Sequence, residues 1–189
     1  MLVTNIYFMD RKSRTPALLR DAALHLFTEQ GYDRTSTAQV AEHAGVSEMT
    51  LFRHFASKEA LLLEDPFDPD MADAVRARPI TESAMLAMAE GIREAWSTMG
   101  AAELANLRWL LRVVAGTPAL NGALERSSDQ TVSALTVALE ERGVATGRAR
   151  VAAAAVIAGL SRALLDWSAE EHGDLPTYVS VALDTLGGQ

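Results

Sequence analysis

Apolar side chains return at three- and four-residue spacing along most of the chain, which is the period of a helix with one buried face. The first such run is Leu19, Ala22, Ala23, Leu26 and Phe27. Thr15-Pro16 reads as its start, with Thr15 as N-cap and Pro16 at the first helical position, and Gly31 as its end. Ser36-Thr37-Ala38-Gln39 then has the form of a capping box for a short second helix with Val40, Ala41 and Ala44 inward. Gly45 breaks that helix, and Ser47 caps a third with Leu51 and Phe55 inward. Ser57-Lys58-Glu59 opens a fourth, continued by Leu61 and Leu62. Two short helices joined by a glycine-containing turn are the pattern of a helix-turn-helix.

Asp65-Pro66-Phe67-Asp68-Pro69 interrupts the pattern, because its two prolines stop helix propagation. A short helix over 70–76 is expected next. Longer helical segments follow over about 80–99, 103–115, 118–142, 147–170 and 175–187, punctuated by Gly100, Gly116-Thr117-Pro118, Gly143 and Gly173-Asp174-Leu175-Pro176. The expectation is an all-α chain with a flexible arm over 1–13, a helix-turn-helix head over 14–64 and an all-helical body over 65–189.

Composition narrows the chemistry more than the fold. With 189 residues, 49% of them hydrophobic, the chain can bury a sizeable core. Cysteine is absent, which removes disulfides, thiolate catalysis and cysteine-ligated metals, and agrees with a cytoplasmic location. Met1–Met9 lacks the basic start of a signal peptide, and Val151–Leu165, interrupted by Arg162, reads as too short to span a bilayer. The net charge of −8 is unevenly spread. Residues 11–62 hold seven Lys and Arg against six Asp and Glu, while residues 63–189 hold ten against eighteen. A near-neutral head on an acidic body fits a protein that meets DNA through one small surface.

A helix-turn-helix lays the start of its second helix in the major groove. Here that helix is about Ser47–Phe55, and Glu48, Met49 and Thr50 are its outward residues near the start, with Arg53 and His54 further along. Glu48 can accept from cytosine N4, Met49 and Thr50 can meet a thymine methyl, and Arg53 can reach a base or a phosphate. Lys58, near the start of the next helix, is placed for a phosphate, which fixes register rather than reading sequence.

With these segments set out, Arg14–Leu62 resembles the TetR family of bacterial repressors. The resemblance is carried by Ala22-Ala23-Leu24-His25-Leu26-Phe27, Gly31-Tyr32, Val40 to Ser47, Thr50-Leu51-Phe52-Arg53-His54-Phe55 and Ser57-Lys58-Glu59-Ala60-Leu61. It implies base reading by Glu48, Met49, Thr50 and Arg53, with Thr37 available to the same groove, and backbone contacts through Phe52, His54 and Lys58. Phe52 stands where the family has a tyrosine and lacks the hydroxyl that would bond a phosphate. Met49 stands where many members have glycine, and Ala38 is too short to hydrogen-bond a base. The resemblance further implies a body with a ligand cavity among its middle helices and a dimer interface on the last two.

The body residues agree on their own terms. Val156, Gly159, Leu160, Ala163 and Trp167, with Tyr178, Val179, Ala182 and Leu186, form an apolar face wider than one neighbouring helix covers, which favours a two-fold four-helix interface. Met85, Met88, Ile92, Trp96, Met99, Trp109 and Val113 could line a pocket for a small apolar organic effector, with Arg108 and Arg112 as polar anchors; the same residues could equally form a plain core. The four histidines have no metal-ligand spacing and no phosphate-binding loop appears, so neither enzyme chemistry nor a cofactor or metal is expected. The expected function is a ligand-responsive repressor that binds a palindromic operator as a homodimer and has no membrane partner. The competing reading is a helical protein-interaction or adaptor domain that has kept the helix-turn-helix shape without specific DNA binding, favoured by the near-zero charge of the head.

Overall fold

The computed structural model describes residues 11–63, 68–97 and 99–187. The chain divides into two compact units, Met1–Glu64 and Asp65–Gln189. Among the described residues every regular element is helical.

The first unit contains α1 (Arg11–Gln30), α2 (Thr37–His43), α3 (Glu48–His54) and α4 (Ala60–Leu63). Leu19, Ala23, Phe27, Val40, Leu51 and Phe55 are buried together, as their spacing requires. The caps predicted for α2 and α3 form. Ser36 Oγ accepts from the Gln39 amide while Gln39 Oε1 accepts from the Ser36 amide. Ser47 Oγ accepts from the Thr50 amide. Gly45 makes the turn between α2 and α3 at φ 70°, a left-handed conformation that side chains with a Cβ resist. One boundary differs from expectation. α1 begins at Arg11, so Thr15 is not its cap and Pro16 lies inside the helix. A proline there removes a single backbone donor, and the helix runs on through it.

The second unit is built from α5 (Asp68–Ala77), α6 (Ala84–Trp96), α7 (Ala101–Gly116), α8 (Asn121–Glu141), α9 (Thr146–Ala169) and α10 (Leu175–Gly187), with a 3-10 turn at Pro118–Leu120. Residues 65–67 of the expected linker and 1–10 of the expected arm lie outside the described residues. Asp68 and Pro69, assigned to the linker by sequence, already open α5, where proline is compatible with a first turn. α6 starts later than expected, at the Ser83 cap, whose Oγ accepts from the Leu86 amide.

α9 packs against α8, α10 and α7, while α5 packs against α6 and α8. Met88, Ile92, Leu135, Leu139, Val156, Leu160 and Leu183 form the centre of this core. Gly91 lets α6 and α5 touch, since a Cβ there would lie 2.8 Å from the Val75 backbone. Arg142, buried at the end of α8, donates to the carbonyls of Arg78 and Pro79 and so ties the α5–α6 connection to α8. All three tryptophans, Trp96, Trp109 and Trp167, belong to this second unit. α9 is 24 residues long, longer than its apolar stretch suggested, and by length and composition alone it could cross a bilayer. Its packing against α6, α7, α8 and α10 is that of a core helix.

Candidate nucleic-acid interface and effector cleft

α3 is held by its buried side and presents the other. Leu51 and Phe55 anchor it, and Met49 stands 83% exposed and Phe52 49% exposed. Arg53 is also exposed, and His54 is half-buried at the last helical position. Thr50 is less free than expected, because its hydroxyl lies 2.9 Å from Ser47 Oγ and joins the cap. At the start of the helix, Thr37 Oγ1 donates to Glu48 Oε1 at 2.6 Å. The first residues of α2 and α3 are thus linked through side chains that sequence reading had assigned separately to the same groove. Spacing could not show that link, since the two residues lie eleven apart.

Lys58 differs from expectation. Its ammonium donates to the Tyr32 carbonyl and sits 4.0 Å from the centroid of the Tyr32 ring. Burial lowers its pKa from the ordinary lysine value. The Tyr32 hydroxyl is pushed above its ordinary range, first by burial and then by the Glu59 carboxylate. Lys58 is therefore already committed to the turn after α1, rather than held out toward solvent.

In the second unit the residues expected around an effector separate into two groups. Met88 and Ile92 are fully buried in the core, and Met85 and Trp96 pack against it. Met99 lies in the connection after α6, and Val113 is half-buried on α7. Arg108, Trp109 and Arg112 instead line an open cleft of about 410 Å³ with Leu104, Ala105, Trp167, Asp174, Leu175 and Pro176. Both arginines brace the end of α9. Arg108 donates from Nη1 to the Glu171 carbonyl and from Nη2 to that of Gly173, each at 2.7 Å, and Arg112 Nε donates to the Ser168 carbonyl at 2.7 Å. Cations are favourable at the carbonyl end of a helix. Among the described residues neither arginine has a carboxylate within ion-pair distance. Trp167, Asp174 and Pro176 were not foreseen as cleft residues, because only the chain reversal after α9 brings them to α7.

The expected dimer face divides in the same way. Val156, Leu160, Trp167 and Val179 are buried inside the protomer, where the Trp167 indole donates to the Gly173 carbonyl under the Arg108 guanidinium. Gly159, Ala163, Tyr178, Ala182 and Leu186 instead line a groove of about 550 Å³ between α9 and α10, together with Val181, 62% exposed. α9 is covered on more than one side, so its wide apolar surface serves both core and groove.

A capped pair of short helices with an outward-facing α3, together with a separate all-helical unit, defines the class as a helix-turn-helix regulator. Residues 19–64 match the model described as bacterial regulatory proteins of the tetR family. The regulator TcmR of Streptomyces glaucescens is 34% identical over 62% of this chain, although the match spans only 55% of that protein. MftR of Mycobacterium tuberculosis, a candidate regulator of mycofactocin biosynthesis, is 27% identical over 94% of this chain and 91% of its own. Among solved structures, SmeT, the repressor of the Stenotrophomonas maltophilia efflux pump SmeDEF, superposes with a TM-score of 0.58 at 21% identity, covering 91% of this chain and 88% of that one. Residues 19–64 thus carry the TetR-type DNA-binding head, and over the rest of the chain the likeness to TetR-family regulators is one of fold.

Proposed function

We propose that this chain is a repressor that binds a roughly palindromic operator as a homodimer and leaves it when a small organic molecule binds the second unit. The observation that carries the DNA-binding part is the outward face of α3, where Glu48, Met49 and Arg53 are exposed on a short helix capped at its start. Such a helix fits the major groove, and two heads related by two-fold symmetry double the bases read. The α9–α10 groove supports the dimer, because Gly159, Ala163 and Ala182 allow close helix approach and Val181 offers apolar surface.

The effector reading rests on the cleft beside α7. Its volume lies within the range of small-molecule sites, its walls are mostly apolar, and Arg112 stands exposed at its edge. A planar, mainly apolar ligand with a carboxylate would stack on Trp109 and pair with that guanidinium. If it prefers the DNA-free form by about 1–3 kcal/mol, operator affinity falls roughly 5–150-fold by reciprocity. Relatives that regulate efflux or biosynthetic functions agree with a small-molecule signal. Selection of binding sites from random duplex DNA, followed by calorimetric screening of aromatic carboxylates against the protein–operator complex, tests both halves. Recovery of no enriched sequence would sink the repressor reading and favour the adaptor. An enriched operator that no ligand releases would remove only the effector.

A further inference from the structure

Glu48 is the first residue of α3, and Thr37 is the first residue of α2. Their hydrogen bond crosses between the two helices at the surface expected to face DNA, and Thr37 is the only partner of Glu48 among the described residues. An exposed glutamate without a partner samples several rotamers and loses that freedom on binding. Here the Thr37 hydroxyl donates its one proton to Oε1, which restrains the carboxylate and leaves Oε2 available as an acceptor. A carboxylate has no proton to donate, so toward a base it acts as an acceptor only.

An acceptor-only group at a groove-facing position is selective by exclusion. It repels phosphate, and it repels the O6 and N7 acceptors of guanine and the O4 acceptor of thymine. Adenine offers a donor at N6 but sets the N7 acceptor beside it. Cytosine offers the N4 donor and no acceptor of its own in the groove, so it is the base a fixed carboxylate tolerates best. The other polar group at this end of the helix, the Thr50 hydroxyl, is turned toward Ser47.

We infer that Thr37 is a specificity-determining residue: by positioning the Glu48 carboxylate it makes the head require cytosine at one fixed place in each half-site. This rests on the repressor reading above and adds which base is demanded and which pair of residues demands it. Thr37 acts through Glu48, so removing its hydroxyl should blunt the preference while binding itself survives.

The experiment is binding-site selection from random duplex DNA by the full-length protein and by Thr37→Val, Thr37→Ser and Glu48→Gln. The parent should enrich a half-site with one invariant cytosine. Glu48→Gln should move that position toward adenine, whose N6 and N7 suit an amide. Thr37→Val, close to threonine in shape, should keep the rest of the half-site but discriminate roughly fivefold less at the cytosine. Thr37→Ser should restore the parental preference, and the salt dependence of both Thr37 variants should match that of the parent, because they change neither charge nor phosphate contacts. Undiminished selection of cytosine by Thr37→Val would overturn the positioning role, and an unchanged base under Glu48→Gln would overturn the cytosine assignment. If the parent enriches nothing, the repressor reading and this inference fall together, whereas a parent that enriches a half-site with no fixed cytosine overturns this inference alone.

Discussion

Individual side chains here carry assignments that helical spacing leaves open, and Lys58 is the clearest. Spacing makes it a phosphate contact, but its ammonium bonds the Tyr32 carbonyl and lies over the Tyr32 ring. Its removal should therefore weaken the DNA-free head. Lys58→Ala is expected to cost about 1–2 kcal/mol in chemical denaturation, from the lost charged hydrogen bond and ring contact. A variant as stable as its parent, with a salt slope of DNA binding lowered by about one unit, would return Lys58 to the phosphate. Glu82 gives a second test, in pH. The Arg78 hydrogen bonds hold its carboxyl below the ordinary carboxylate value. A depressed folded pKa means stabilisation that is fully present above the unfolded value of about 4.3 and lost as pH falls through the folded one. The denaturation midpoints of parent and Glu82→Gln should differ at neutral pH and converge in acid. A constant gap down to strongly acidic pH would show that the Arg78 pair contributes nothing through ionisation.

At the scale of elements, the short helices of the head were legible because α2 and α3 each announce themselves twice, by period and by cap. Ser36 with Gln39, Ser47, and the Gly45 break located α2 and α3 to within a residue or so. What remained illegible were facts about neighbours. Periodicity tells that α9 has a wide apolar surface, but not that Val156, Leu160 and Trp167 face the protomer's own core while Gly159 and Ala163 face the groove. It likewise marks Arg108 and Arg112 as one helix face without showing that both donate to carbonyls at and just beyond the α9 terminus. Glycines make the same distinction measurable. Gly91→Ala must force α6 away from the Val75 backbone and should cost about 1–3 kcal/mol. Gly147 lies in α9 with nothing within 4 Å of an added Cβ, so Gly147→Ala should stabilise by about 0.5 kcal/mol through helix propensity. Equal effects of the two substitutions in urea unfolding would contradict the close approach of α5 and α6.

For the molecule as a whole, the proposed dimer makes a demand on one exposed residue. Val181 lines the α9–α10 groove and touches little of its own core, so Val181→Asp should leave helix content and folding intact. It should also turn the protein monomeric at micromolar concentration in sedimentation and weaken operator binding, since a single head reads too few bases. A dimer that survives this charge would place the interface elsewhere. The distribution of tryptophan has a consequence of another kind. With every indole in the second unit, and only tyrosines in the first, light that excites indole selectively makes the second unit visible and leaves the DNA-binding head dark. An operator has nothing to contact in the emitting half under the proposed mode of binding. A change in emission on adding operator would therefore be a message received, and Trp109 at the edge of the cleft and Trp167 beneath Arg108 are the two receivers placed to register an effector as well. The native chain thus carries its own reporter for communication between reading and sensing, with no label to attach and no cysteine to remove first.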